Sequence, residues 1–137
     1  MQKVVLPFLI LMTLLLSSVS AGAADDPLRE FRQLSNEIYR LSQDMVFHGS
    51  EGHAEEIVTY GQKVIERADK MMKEVESRPP KKKGEKEKWI GSLKEIHQKA
   101  NEAVSLAQQS KTAAAVAASR KVSFQAKQLR QQLQNSH

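Results

Sequence analysis

Four runs of apolar residues, each stepping by three and four, constrain this 137-residue chain more than any other feature. The first is Leu28, Phe31, Leu34, Ile38, Leu41 and Met45; the second is Ala54, Ile57/Val58, Gly61, Val64/Ile65, Ala68, Met71/Met72 and Val75. The third is Trp89/Ile90, Leu93, Ile96/His97, Ala100, Ala103/Val104 and Ala107, and the fourth is Ala115, Ala118/Ser119, Val122, Ala126, Leu129 and Leu133. That spacing puts each run on one face of an α-helix. Four single-stripe helices bury their stripes most simply as an up-down bundle, so the expected class is all-α, an up-down four-helix bundle.

The breaks between runs organise the chain. Phe47 to Gly52 ends the first run, with Gly49 read as the C-cap and Gly52 as the reversal. Ser77-Arg78-Pro79-Pro80-Lys81-Lys82-Lys83-Gly84 cannot continue a helix through two prolines, and its lysines keep it in water. Gln108 to Thr112 is a weaker break, with Ser110 or Thr112 as N-cap, so the last two helices are either separate or fused. The expected layout is one hairpin over about 27–76, a Pro/Lys linker over 77–88 and a second hairpin over about 89–135.

The two hairpins also correspond at a spacing of 58 residues. Ile38 falls on Ile96, Val46 on Val104, Val58 on Val116, Lys63 on Lys121, Val64 on Val122 and Ala68 on Ala126, while Phe31 falls on Trp89. The break at Gly49 to Gly52 falls on the weaker break at Gln108 to Ser110, as a duplicated helical hairpin predicts.

Ahead of the bundle, Met1-Gln2-Lys3, the uncharged apolar stretch Val4 to Leu16 and the small residues Ala21-Gly22-Ala23 have the layout of a secretory signal peptide. Cleavage after Ala23 leaves a mature chain of 114 residues, large enough for one domain to bury a core without staples. An uncleaved membrane anchor is the rival reading, opposed by Pro7 and by the Ser, Ala and Gly of the stretch's second half. Cleavage makes the protein exported, periplasmic in a Gram-negative host, with no membrane attachment afterwards. The chain has no cysteine, which removes disulfides, thiolate metal sites, c-type haem attachment and thiol nucleophiles together.

The net charge of +5 conceals an asymmetry. Residues 24–76 carry seven Lys/Arg against twelve Asp/Glu, the linker 77–88 six against two, and residues 89–137 seven against two. A basic chain raises nucleic acid as a partner, but export opposes it, and attraction between an acidic first half and a basic second half explains the charges. No nucleic-acid partner is expected.

One segment departs from ordinary bundle sequence: Asp44-Met-Val-Phe-His48-Gly-Ser-Glu51-Gly-His53-Ala-Glu55-Glu56. Asp44 lies one turn before His48 and Glu56 three residues after His53, so spacing gives each histidine a carboxylate on its own helical face. The turn then brings both pairs to one end of the bundle. Imidazole with carboxylate suits Cu, Ni, Zn or Co rather than Ca or Mg, which prefer all-oxygen shells. His48, His53, Glu51, Asp44 and Glu56 are therefore the candidate ligands of a divalent transition metal ion. The bland alternative is a helix-terminal histidine favoured by the helix dipole, followed by a Gly-x-x-Gly loop. His97 lies about 15 Å from this turn along its helix and is expected to be a packed or half-exposed residue.

His48-Gly-Ser-Glu-Gly-His53-Ala-Glu-Glu, followed by Tyr60-Gly61 and Ala68, resembles the repeat of the small metal-binding protein (SmbP) family. The resemblance implies an exported four-helix bundle that binds copper, nickel or zinc, with His48 and His53 on the motif histidines and Glu51 on the motif acid. Leu106 to Lys111 stand where a second motif would be, and Tyr60 stands at one place where the family has a further histidine. The chain resembles a His-depleted member.

No Gly-rich phosphate loop, G-x-S-x-G or Cys-x-x-Cys-His is present, and His53-Ala-Glu-Glu lacks the second histidine of H-E-x-x-H. No enzymatic activity is expected. Met45 and Met71/Met72 sit on apolar stripes as core residues rather than copper or haem ligands. The competing functional expectation is a non-enzymatic interaction bundle whose Phe47, Phe124 or lysine linker meets a protein partner.

Overall fold

The computed structural model describes residues 27–136. The expected signal peptide, its cleavage site and His137 lie outside them. Four α-helices account for nearly all of the described chain: α1 (Pro27–Ser50), α2 (Ala54–Ser77), α3 (Glu85–Gln108) and α4 (Thr112–Gln134). No strand occurs among the described residues, and no described helix is long and apolar enough to cross a membrane.

Each helix lies beside the next, and α1 closes the ring against α4. Cross-helix contacts fix the directions. Arg67 on α2 reaches back to Glu37 on α1 at 2.9 Å, and Lys86 on α3 approaches Glu76 on α2 at 3.8 Å. Arg32 near the start of α1 donates to the carbonyls of Leu133, in the last turn of α4, and Ser136, just beyond it, at 3.2 and 2.8 Å. Neighbours therefore run antiparallel, which is the up-down bundle.

The buried positions follow a seven-residue repeat. On α1 they are Phe31, Ile38 and Met45 with Ser35, Ser42 and Gly49, and Leu34 is buried beside them; on α2, Ile57, Val64 and Met71 with Gly61, Ala68 and Val75. Adding 58 to each number of the repeat gives a buried residue of α3 or α4, from Trp89 through Leu133, whereas Leu34 falls on the half-buried Ser92. This two-column spacing lets knobs of one helix enter holes of the next in a bundle. At the head of the register Phe31 and Trp89 meet edge to face with centroids 5.9 Å apart, a geometry worth ~1 kcal/mol beyond area burial.

Two small residues are required by crowding. A Cβ on Gly61 would stand 2.5 Å from Val104 Cγ2, and one on Gly49 would stand 2.6 Å from Ile57 Cδ1 and 2.8 Å from Val116 Cγ2. Gly49 is thus a buried helical residue and not the C-cap expected of it. Ser35 and Ser42 are also buried and return their hydroxyls to the carbonyls of Arg32 and Tyr39 at 2.9 and 2.6 Å. Among the described residues no buried hydroxyl is left unpaired.

Both intra-hairpin turns close in the same way. After α1, His53 N–H donates to the His48 carbonyl at 3.0 Å and Gly52 N–H to the Gly49 carbonyl at 2.9 Å, with Gly52 at φ +86°. After α3, Lys111 N–H donates to the Leu106 carbonyl at 2.9 Å and Ser110 N–H to the Ala107 carbonyl at 3.0 Å, with Ser110 at φ +61°. Both are Schellman closures, which satisfy helix-end carbonyls through a left-handed residue. Consequently α3 and α4 are separate, and Ser110 ends a helix rather than capping the next. Lys111 stands at the N-cap of α4 without a side-chain cap bond, and Thr112 is already helical.

The linker is shorter than the sequence suggests. Gly84, at φ +87°, immediately precedes α3, so Glu85 to Lys88 are helical. Glu85 and Glu87 in that first turn complement the positive end of the helix. Arg78 locks the linker's other end by donating to Glu30 on α1 and, at 2.6 Å, to Glu74 on α2. Those two bonds, Glu30 first, raise its pKa above the ordinary guanidinium value.

Candidate metal centre

The α1–α2 turn builds the site. Its longest-reaching bond, from His53 N–H to the His48 carbonyl, ties the backbones of the two histidines together. Their rings lie nearly parallel, with centroids 6.4 Å apart and planes 27° apart. Tyr60, two turns into α2, stacks on His48 at 5.4 Å and 11°, and Phe47 meets the same ring edge-on at 5.2 Å. His48 is therefore held in a stack, one quarter exposed, while His53 is more than half exposed.

The carboxylates fall around this stack. Glu56 Oε2 approaches His48 Nδ1 to 2.5 Å. Glu51 Oε2 stands 4.0 Å from the same nitrogen and 3.8 Å from His53 Nδ1. One donor atom from each of His48, Glu51 and His53 lies within 4.8 Å of the other two. Tetrahedral bonds of about 2.0–2.2 Å set donors roughly 3.4 Å apart, so the trio needs an inward movement of about 1 Å. Glu51 and His53 are exposed and carry the freedom for it.

His48 Nδ1 and Glu56 Oε2 are both shielded from solvent, and each has the other within hydrogen-bond reach. Donors bound to one ion stand roughly 3.4 Å apart, so His48 Nδ1 and Glu56 Oε2 would part by about 1 Å if both joined the accessible donors on a shared cation.

The expected ligands separate into two groups. His48, His53, Glu51 and Glu56 come together, whereas Asp44 joins none of these contacts although it lies one helical turn before His48 on α1. The pairing of Glu56 differs from expectation: it meets His48 across the turn, not His53 three residues before it. His53 is the N-cap residue of α2, with φ −91° and ψ 75°, so its side chain does not follow the helical face that the spacing assumed. Tyr60, which the family resemblance marked only as standing at a histidine place, stacks on the His48 ring.

His97 stays apart from this cluster. It spans α3 and α2, with Nε2 3.3 Å from Asp69 Oδ1 and Nδ1 3.3 Å from Asn101 Nδ2. Met45 and Met71 are fully buried core residues. No protein-family model, curated protein or solved structure matches the chain.

Proposed function

We propose that this protein binds a divalent transition metal ion, copper, nickel or zinc, at the α1–α2 turn, and serves as an exported metal-binding or metal-buffering bundle rather than an enzyme. The observation that carries the reading is the cluster of one donor atom each from His48, Glu51 and His53 within 4.8 Å of one another, beside the solvent-shielded contact of His48 Nδ1 with Glu56 Oε2. A second fact supports it. The α3–α4 turn makes the same closure with Leu106, Ala107, Gln108, Gln109, Ser110 and Lys111, so the turn itself does not call for histidine.

The ion would sit between two imidazoles and one or two carboxylates, a donor set that favours borderline metals over Ca or Mg. Glu56 is either a ligand, the less exposed of the two carboxylates, or the acid that orients His48. The leader at residues 1–23 and the resemblance to the small metal-binding protein family agree with this role. The 58-residue correspondence of helix bounds, buried positions and turns supports an origin by duplication of one hairpin, with the donors kept only in the acidic copy.

Calorimetric titration of the mature protein with Cu, Ni and Zn, beside a His48→Ala/His53→Ala variant, tests the reading. We expect binding of micromolar strength or tighter that the variant loses. Weaker binding, or equal binding by both proteins, overturns it. The second reading, a protein-interaction bundle, is favoured by Phe47 and Phe124, which stand 60% and 59% exposed on an otherwise well-buried set of large apolar residues.

A further inference from the structure

The bundle end opposite the histidines carries a cavity of about 290 Å³, formed where the start of α1, the linker and the start of α3 converge. Its apolar wall is built by Leu28, Phe31, Pro79, Pro80 and Trp89, with Pro27 at the edge. The volume is at the lower edge of the ~300–1,000 Å³ typical of small-molecule sites, which are mainly apolar with a few convergent polar groups.

The polar groups on the rim are not equivalent. Arg78 is already engaged by Glu30 and Glu74, and Glu85 accepts a hydrogen bond from Ser136 Oγ at 2.9 Å. Lys81 and Lys82 are the exposed rim residues whose side chains have no hydrogen-bond or ion-pair partner among the described residues. The cavity thus presents an apolar interior and two uncommitted positive charges on one lip. Its complement is a small molecule with an apolar body and an anionic head.

From this juxtaposition we infer that the α1–linker–α3 cavity binds a small apolar monocarboxylate, its alkyl or aromatic body against Leu28, Pro80 and Trp89 and its carboxylate between Lys81 and Lys82. The site is independent of the metal centre and requires neither histidine. A ligand of about ten non-hydrogen atoms in so small a site gives a dissociation constant on the order of 0.1–1 mM.

Trp89 is the chain's single tryptophan, so its fluorescence and its indole N–H resonance report this cavity alone. Sodium octanoate titrated into the mature protein should shift both saturably, and 1-octanol, of equal length without charge, should bind about tenfold more weakly. A Lys81→Glu/Lys82→Glu variant should keep its melting temperature and lose about tenfold in octanoate affinity. A Leu28→Glu variant, which puts a like charge in the apolar wall, should lose binding as well. No saturable change of the Trp89 signals below 10 mM octanoate, octanol binding as tightly as octanoate, or an unaffected lysine variant would each overturn the assignment.

Discussion

Ser110 holds in the α3–α4 turn the left-handed backbone conformation that Gly52 holds in the α1–α2 turn, 58 residues earlier. Glycine adopts that conformation freely; a residue with a Cβ is penalised there by roughly 1–2 kcal/mol. The second hairpin therefore carries a strain that the first avoids. Replacing Ser110 with Gly should stabilise the protein by about 1 kcal/mol, since the added freedom of the unfolded chain offsets part of the gain. Thermal unfolding should show a midpoint higher by roughly 4 °C for a domain of this size; an unchanged or lower midpoint would contradict the strain.

The carboxylates around the histidines should separate by position rather than by charge. Glu56→Gln removes the partner of the buried His48 nitrogen and should weaken Zn or Cu binding by about ten- to a hundredfold, the usual effect of losing a ligand's close support. Asp44→Asn, on the residue that joins no contact in the cluster, should leave affinity within about twofold. Calorimetry on both variants decides it, and equal losses would mean that only the general negative charge of the acidic half matters.

Close approach at Gly61 predicts an energetic coupling. Gly61→Ala should be destabilising by about 1–3 kcal/mol through overpacking against Val104, despite alanine's better helix propensity. In a Val104→Ala background the same change meets open space and should cost little or even stabilise. The double-mutant cycle from denaturant melts should give a coupling above about 0.5 kcal/mol, and additivity would refute the contact.

Arg78 joins α1, α2 and the linker through Glu30 and Glu74, with its guanidinium carbon 5.9 Å from the centre of the Phe31 ring. Lysine retains the charge but not the planar fork, so Arg78→Lys should lower the melting temperature and Arg78→Ala should lower it further. The shift of Arg78 is upward for a cation, so its contribution is present at every pH below the ordinary guanidinium pKa and is lost only as pH rises through the raised value. The difference between wild type and variant should accordingly be flat across neutral pH; a steep dependence there would assign the effect to other groups.

Much of the bundle was legible from the apolar stripes, because Ile38, Val64, Leu93 and Leu129 each announce a buried face. The second column of α1 was not. Ser35, Ser42 and Gly49 are as buried as Phe31, yet hydropathy gives them no signal; they follow the seven-residue repeat of the first column, one turn on. The same limit hid the true role of Gly49. A glycine after a helical run reads as a cap, but the close approach of Ile57 and Val116 comes from chain that folds back later.

The donor cluster shows a similar division. His48, Glu51 and His53 fall together because the turn is short and local, so sequence spacing was sufficient to group them. The Glu56–His48 contact crosses from one helix to the next and required the geometry of the turn. Ser110 was the least legible of all, since nothing in a serine codon position marks it for a left-handed backbone.

The hydrogen bonds from Arg32 to the carbonyls of Leu133 and Ser136 hold the start of α1 against the end of α4. The four helices therefore form a closed circuit in which the linker at residues 78–84 is one seam and the junction of α1 with α4 is the other. A circular permutant that splices the second seam and opens the first would present the two hairpins in reverse order while preserving every helix-to-helix neighbour. Chain order, in this architecture, is separable from shape.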